Sequence, residues 1–90
     1  MSERNIEYQP TPNPNAVKFV IGEPAVPEGG SKSFYNREQA AADPRAAAIF
    51  ELDGVASVFM VADFVTVTKT EVADWGALIE PVRDVLGRAS

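Results

Sequence analysis

Ninety residues with 13 acidic and 8 basic side chains carry a net charge of −5, and the chain contains neither cysteine nor histidine. The missing thiols and imidazoles exclude a disulfide framework, a thiolate nucleophile, the usual ligands for zinc or an iron–sulfur cluster, and the usual general base near neutral pH. The cations are scattered along the chain, which argues against a nucleic-acid partner, and no apolar run approaches the roughly 18 residues that span a bilayer.

A chain of this length is expected to form one domain, burying on the order of 9,000 Å² when it folds. The start, MSERNIEYQP, has no apolar leader segment, and the expected location is the cytoplasm. Residues 6–9 can form a short strand, and Val17, Phe19 and Ile21 alternate with Lys18 and Val20 in a second, half-buried strand. Between them, PTPNPN holds three donorless prolines, and Pro12 and Pro14 push Thr11 and Asn13 towards extended backbone, so this connection is stiff. Residues 22–31, GEPAVPEGGS, read as a long mobile loop. Its diglycine could form an anion nest, but Glu23 and Glu28 nearby would repel an anion.

A brief strand is expected at residues 32–35. Asn36 then caps a helical turn with Gln39 at the capping-box position, and Asp43-Pro44 restarts the helix with an acceptor at the N-cap and proline at N1. Ala46, Ile49, Phe50 and Leu52 make a narrow apolar stripe that Asp53-Gly54 ends. VASVFMV and FVTVTK follow as two strands joined by Ala62-Asp63, a hairpin whose turn lacks the favoured glycine. From Asp74, a cap by residue type, Trp75, Leu78, Ile79, Val82, Val85 and Leu86 recur at helical spacing opposite Glu80, Arg83, Asp84 and Arg88. Pro81 interrupts this helix and predicts a kink. The order predicts an α+β two-layer sandwich, an antiparallel sheet with helices packed on one face.

The hairpin register sorts the side chains further. Ala56, Val58, Met60, Val65 and Val67 fall on the face suited to the helices. Ser57, Phe59, Val61, Phe64, Thr66 and Thr68 fall on the other. Phe59, Phe64, Thr66 and Thr68 are therefore the candidate partner-binding residues, because an aromatic pair on a polar sheet has the composition of an interaction patch unless the N-terminal segment or the long loop covers it. Asn13 and Asn15 are expected to close Asx-turns, and Lys18 and Lys69 to be solvated cations on the sheet. Asn13, Asn15 and Lys18 are also the candidate ligand residues of an alternative reading, a small-molecule or anion site at the Pro/Asn loop. Asp43, Glu51, Asp53, Asp63, Glu71 and Asp74 are accounted for as caps, turns and solvated faces, and Trp75 as core. No catalytic residue and no metal ligand is assigned.

TPNPNAVKF, followed after the Gly/Pro loop by SFYNREQAAADPRAAAIFELDGVASVFMVADFVTVTKTEVADW, strongly resembles the N-terminal domain of Nfu/NifU-like iron–sulfur cluster scaffold proteins. The likeness runs from about Tyr8 to Leu86. In the longer members of that family a second domain carries a Cys-x-x-Cys pair that binds the cluster, and the domain resembled here precedes it without supplying ligands. The resemblance implies a non-enzymatic interaction module without a cofactor of its own, here as a free-standing domain. Its partners would be an iron–sulfur scaffold, a carrier or an apo-target protein.

Overall fold

In the computed structural model, which describes residues 6–88, five strands form one antiparallel sheet in the order β1-β2-β5-β4-β3. They are β1 (Glu7–Pro10), β2 (Ala16–Val20), β3 (Ser31–Phe34), β4 (Val55–Val61) and β5 (Phe64–Lys69), accompanied by helices α1 (Arg37–Ala40), α2 (Pro44–Phe50) and α3 (Trp75–Arg88). The expected α+β architecture is the observed one. Arg4 and the side chain of Arg88 lie outside the described residues.

Local chemistry accounts for the helix starts. The Asn36 carboxamide oxygen accepts from the Gln39 N–H (2.8 Å), and the Gln39 side chain accepts in return from the Tyr35 N–H (2.8 Å), one residue earlier than a standard capping box. Asp43 accepts from the N–H groups of Arg45 and Ala46, with Pro44 at the first helical position. Asp74 accepts from the Gly76 N–H (3.2 Å) at the head of α3. That helix runs continuously through Pro81. The Ala77 carbonyl, which Pro81 leaves without a donor, belongs to an exposed residue that water can reach. The stop of α2 falls at Phe50 rather than at Asp53-Gly54, because the Leu52 N–H closes a tighter turn on the Ile49 carbonyl (3.0 Å).

The hairpin has the expected register, with Val61 opposite Phe64, Phe59 opposite Thr66, Val58 opposite Val67 and Ser57 opposite Thr68. Its turn places Ala62 at a φ of 52°, an unfavourable region for a residue with a Cβ. Both turn carbonyls are engaged: that of Ala62 accepts from the Ala25 N–H (2.7 Å) and that of Asp63 from the Ile21 N–H (2.9 Å). One facial assignment is corrected. Val55 pairs with Lys69 while Ser57 pairs with Thr68, leaving Ala56 as the extra residue of a bulge. The alternation therefore reverses upstream of Ser57: Ala56 is exposed, and Val55 packs against the core in its place.

The core lies between the helices and one sheet face, where Phe19, Met60, Val65 and Val67 meet Ile49, Val82 and Leu86, all fully or almost fully buried. The Phe19 ring sits 6.1 Å from that of Tyr8 and 6.2 Å from that of Trp75, tying β1, β2 and α3 together. Arg83 adds a second link between the same elements by donating to the Ile6 carbonyl (2.8 Å). Residues 22–31 are not the free loop expected from their composition. Ala25 and Val26 are buried in the core, and Glu23 pairs with Arg45 at 2.7 Å. Glu28 and Lys32 pair at 2.8 Å, and the Lys32 ammonium holds the Glu28 carboxyl below its ordinary value. Both groups are exposed, so the pair is screened; its contribution is present above the ordinary glutamate range and fades as pH falls through the lowered one.

Candidate functional site

The strand pairings lay the outer face of the sheet out in rows. Glu7, Val20, Phe64, Val61 and Ser31 follow one another across the five strands, and Gln9, Lys18, Thr66, Phe59 and Ser33 form the next row. A third, shorter row joins Ala16, Thr68 and Ser57. Phe59, Phe64, Thr66 and Thr68, singled out from alternation alone, therefore share one surface. Polar residues of the two edge strands flank it, and valines of β2 and β4 sit either side of Phe64.

The two phenylalanines differ in environment. Phe59 retains 38 % of its surface, whereas Phe64 is half-buried. The Lys18 ammonium stands 4.3 Å above the centre of the Phe64 ring, close enough for a cation–π attraction. Lys18, which the sequence grouped with the Pro/Asn loop, thus reaches onto the open sheet. The cation is diagonal to Phe64 in the register, and only the pairing of β2 with β5 brings the two together. Val20 joins the patch for the same reason, and its place opposite Phe64 has no signal in the local sequence.

Asn13 and Asn15 lie in the turn at the head of β2. The Asn13 carboxamide oxygen accepts from the Asn15 N–H (2.9 Å), an Asx-turn, and its carbonyl accepts from the Ala16 N–H (2.9 Å). Thr11 donates its hydroxyl to the carbonyls of Asn13 and Ala16. The Asn15 side-chain oxygen accepts from the Lys69 ammonium (3.0 Å), while the Lys69 N–H donates to the Asn15 carbonyl (2.7 Å). Lys69 is therefore a part-buried strut between two strands rather than a solvated cation. Asn15→Ala removes one charge-assisted bond and leaves the backbone bond in place, so it should cost about 1 to 2 kcal/mol. A shift in the denaturant midpoint measures this, and an unchanged midpoint would mean that the strut carries no stability.

Among the described residues no group of three or more histidine, cysteine, aspartate or glutamate side chains could hold a metal ion. The chain offers neither thiolate nor imidazole to an iron–sulfur cluster, so its residues do not fit a bound cluster. The concavity around Gly29 and Gly30 is lined by Glu23 and Asp63, two carboxylates that disfavour an anion there.

Fold and surface together define a class: small α+β sandwiches whose helices cover one face of an antiparallel sheet and leave an aromatic-centred face open. The chain belongs to the family described as the N-terminal part of the scaffold protein Nfu/NifU, whose model matches residues 6–89. It is 48 % identical over 73 residues to NifU-like protein 5, mitochondrial, of Arabidopsis thaliana, covering 81 % of this chain and 26 % of that protein. It is 42 % identical over 76 residues to the NFU1 iron-sulfur cluster scaffold homolog, mitochondrial, of Drosophila erecta, covering 84 % and 26 %. The chain thus spans about a quarter of the length of these relatives. Among solved structures, the NifU-like protein of Saccharomyces cerevisiae superposes with a TM-score of 0.83 at 25 % identity, over 96 % of this chain and 77 % of that one. Protein SAV1430 of Staphylococcus aureus gives 0.75 at 30 % identity, over 90 % and 96 %.

The expectation of a cytoplasmic location is overturned, since the relatives from Arabidopsis thaliana and Drosophila erecta are named mitochondrial. It rested on the lack of an apolar leader and of a membrane-spanning run, and neither feature separates the cytosol from a mitochondrial compartment. No helix among the described residues is long and apolar enough to cross a membrane.

Proposed function

We propose that residues 1–90 form one domain that acts as a non-enzymatic interaction module in iron–sulfur cluster assembly or delivery, docking a scaffold, a carrier or an apo-target protein through the open sheet face. The observation that carries the reading is the placement of Phe59 and Phe64, flanked by Val20, Val61 and Lys18, on the sheet face opposite the core that the helices of the described residues cover. Family membership supports the pathway, and these 90 residues themselves supply no thiolate or imidazole ligand to a cluster. An aromatic centre inside a polar rim is the composition that interface cores favour.

Affinity capture with the intact protein, followed by mass spectrometry, tests this. Enrichment of cluster-assembly proteins is expected, and the double variant Phe59→Ser with Phe64→Ser should abolish it. Phe59 is substantially exposed and Phe64 half-buried, so the double variant should lose less stability than truncation of two fully buried phenylalanines, at roughly 3 to 5 kcal/mol each, would cost. Capture that survives in the folded variant would remove this face from the interaction. A melting shift with a small anion, without any captured partner, would favour a ligand site at Asn13, Asn15 and Lys18 instead.

A further inference from the structure

A second surface lies away from the open sheet face, where the segment between α2 and β4 meets the segment between β5 and α3. The two are joined by a hydrogen bond from the Thr70 N–H to the Gly54 carbonyl (2.8 Å), and the second segment is folded on itself by the Ala73 N–H donating to the Thr70 carbonyl (3.2 Å). Gly54 lies so close to Ala73 that a Cβ on it would stand 2.7 Å from the Ala73 Cβ. Between these segments and the first turns of α3 runs a groove of about 570 Å³, lined with Leu52, Ala77, Leu78 and Pro81. That volume accommodates one or two large apolar side chains. Val72 stands on its rim at 96 % exposure.

The charged residues that line the groove have one sign. Asp53 and Asp74 line it, and Glu71 is exposed beside Val72. No lysine or arginine is among its lining residues, and the Lys69 ammonium next to Thr70 is directed at the Asn15 carboxamide and the Thr70 carbonyl. These carboxylates do not form a metal site, since no group of three or more candidate ligands occurs among the described residues. A second copy of this chain is a poor occupant, because it would bring a net charge of −5 and the same acidic rim against this one.

We propose that this groove docks a protein segment presenting a leucine- or phenylalanine-sized side chain flanked by lysine or arginine. The apolar walls take the anchor, and the carboxylates of Asp53, Glu71 and Asp74 face the flanking cations. The stitched loops make the groove preformed, which lowers the ordering cost of binding. This surface shares no residue with the sheet patch, so the two proposals stand or fall separately.

The probe is a synthetic peptide with two leucines one helical turn apart flanked by lysines, titrated into the isotope-labelled full chain and followed by amide chemical shifts. Two control peptides carry glutamates in place of the lysines, or serines in place of the leucines. Shifts confined to Gly54, Thr70, Val72, Ala73 and Ala77 are expected with the lysine–leucine peptide alone. Asp53→Asn with Glu71→Gln, both exposed positions, should weaken binding about fivefold. Ala77→Arg, an exposed helical site on the groove, should reduce it at least tenfold. Phe59→Ser with Phe64→Ser should leave it unchanged. No localised shift at millimolar peptide, an equal response to the glutamate peptide, or shifts at the groove that depend on protein concentration alone would each overturn the proposal, the last in favour of self-association.

Discussion

Phe19→Ala is expected to remove about 3 to 5 kcal/mol, a loss that approaches the whole stability of a 90-residue domain. Phe19 is fully buried at the centre of the core face, and its ring is the common neighbour of Tyr8 on β1 and Trp75 on α3. Alanine leaves a cavity that β1, Trp75 and the valines around it would have to collapse into together. β2 is hydrogen-bonded on both sides, so its backbone is not free to follow. At roughly 4 to 8 °C per kcal/mol, the melting temperature should fall by at least about 12 °C. Val72→Ser, at the most exposed apolar position among the described residues, should leave it unchanged within error. A loss below about 1.5 kcal/mol for Phe19→Ala would mean that the core closes the gap and that the aromatic link is not central.

Gly54→Ala is expected to cost about 2 to 4 kcal/mol, although it adds a single methyl group. Two independent causes combine. The φ of 96° is one that a residue with a Cβ rarely adopts, and the new Cβ would sit 2.7 Å from the Ala73 Cβ, a distance at which backbone must move. A double-mutant cycle separates them. Ala73→Gly removes the close contact and leaves Leu78 Cδ1 at 3.5 Å and the Cα of residue 73 at 4.0 Å, both ordinary van der Waals distances. The double variant should recover roughly half of the loss, the remainder being backbone strain. Full recovery would show that the φ is relaxed at no cost; no recovery would show that the contact with Ala73 is avoided by a small loop shift. The same two segments wall the apolar groove, so Gly54→Ala should also disturb its shape.

The elements whose chemistry is local were legible in the chain. The capping side chains of Asn36, Asp43 and Asp74, proline at the first position of α2, and the spacing of apolar residues along α3 each act within one or two turns, so the sequence contains both partners of every contact involved. The hairpin register was legible for the same reason. A two-residue connection leaves one pairing that keeps Val58, Met60, Val65 and Val67 together, and a slip by one residue would set Val58 and Met60 on the opposite face from Val65 and Val67. That register by itself sets Phe59, Phe64, Thr66 and Thr68 on a common face. The motif TPNPNAVKF and the hairpin carried the family resemblance, because both combine special residues at fixed spacing.

Contacts that join distant parts of the chain were decided by the tertiary structure. Local periodicity says which side of a strand is apolar but not which strand lies beside it. The pairing of β2 with β5, which sets Lys18 over Phe64 and Val20 opposite it, therefore has no signature in either segment. The strut from Lys69 to Asn15 spans 54 residues and turns an apparent surface cation into part of the framework. Alternation failed at Ala56 because one unpaired residue in the ladder inverts every facing before it, and that insertion becomes visible only once both strands are aligned. Ala62 holds a conformation that its own residue type disfavours, and its carbonyl is bonded to Ala25 of the preceding loop. The groove between the Gly54 and Ala73 segments belongs to neither segment alone. It exists because a missing Cβ lets two stretches of backbone approach, and that approach depends on the packed position of both.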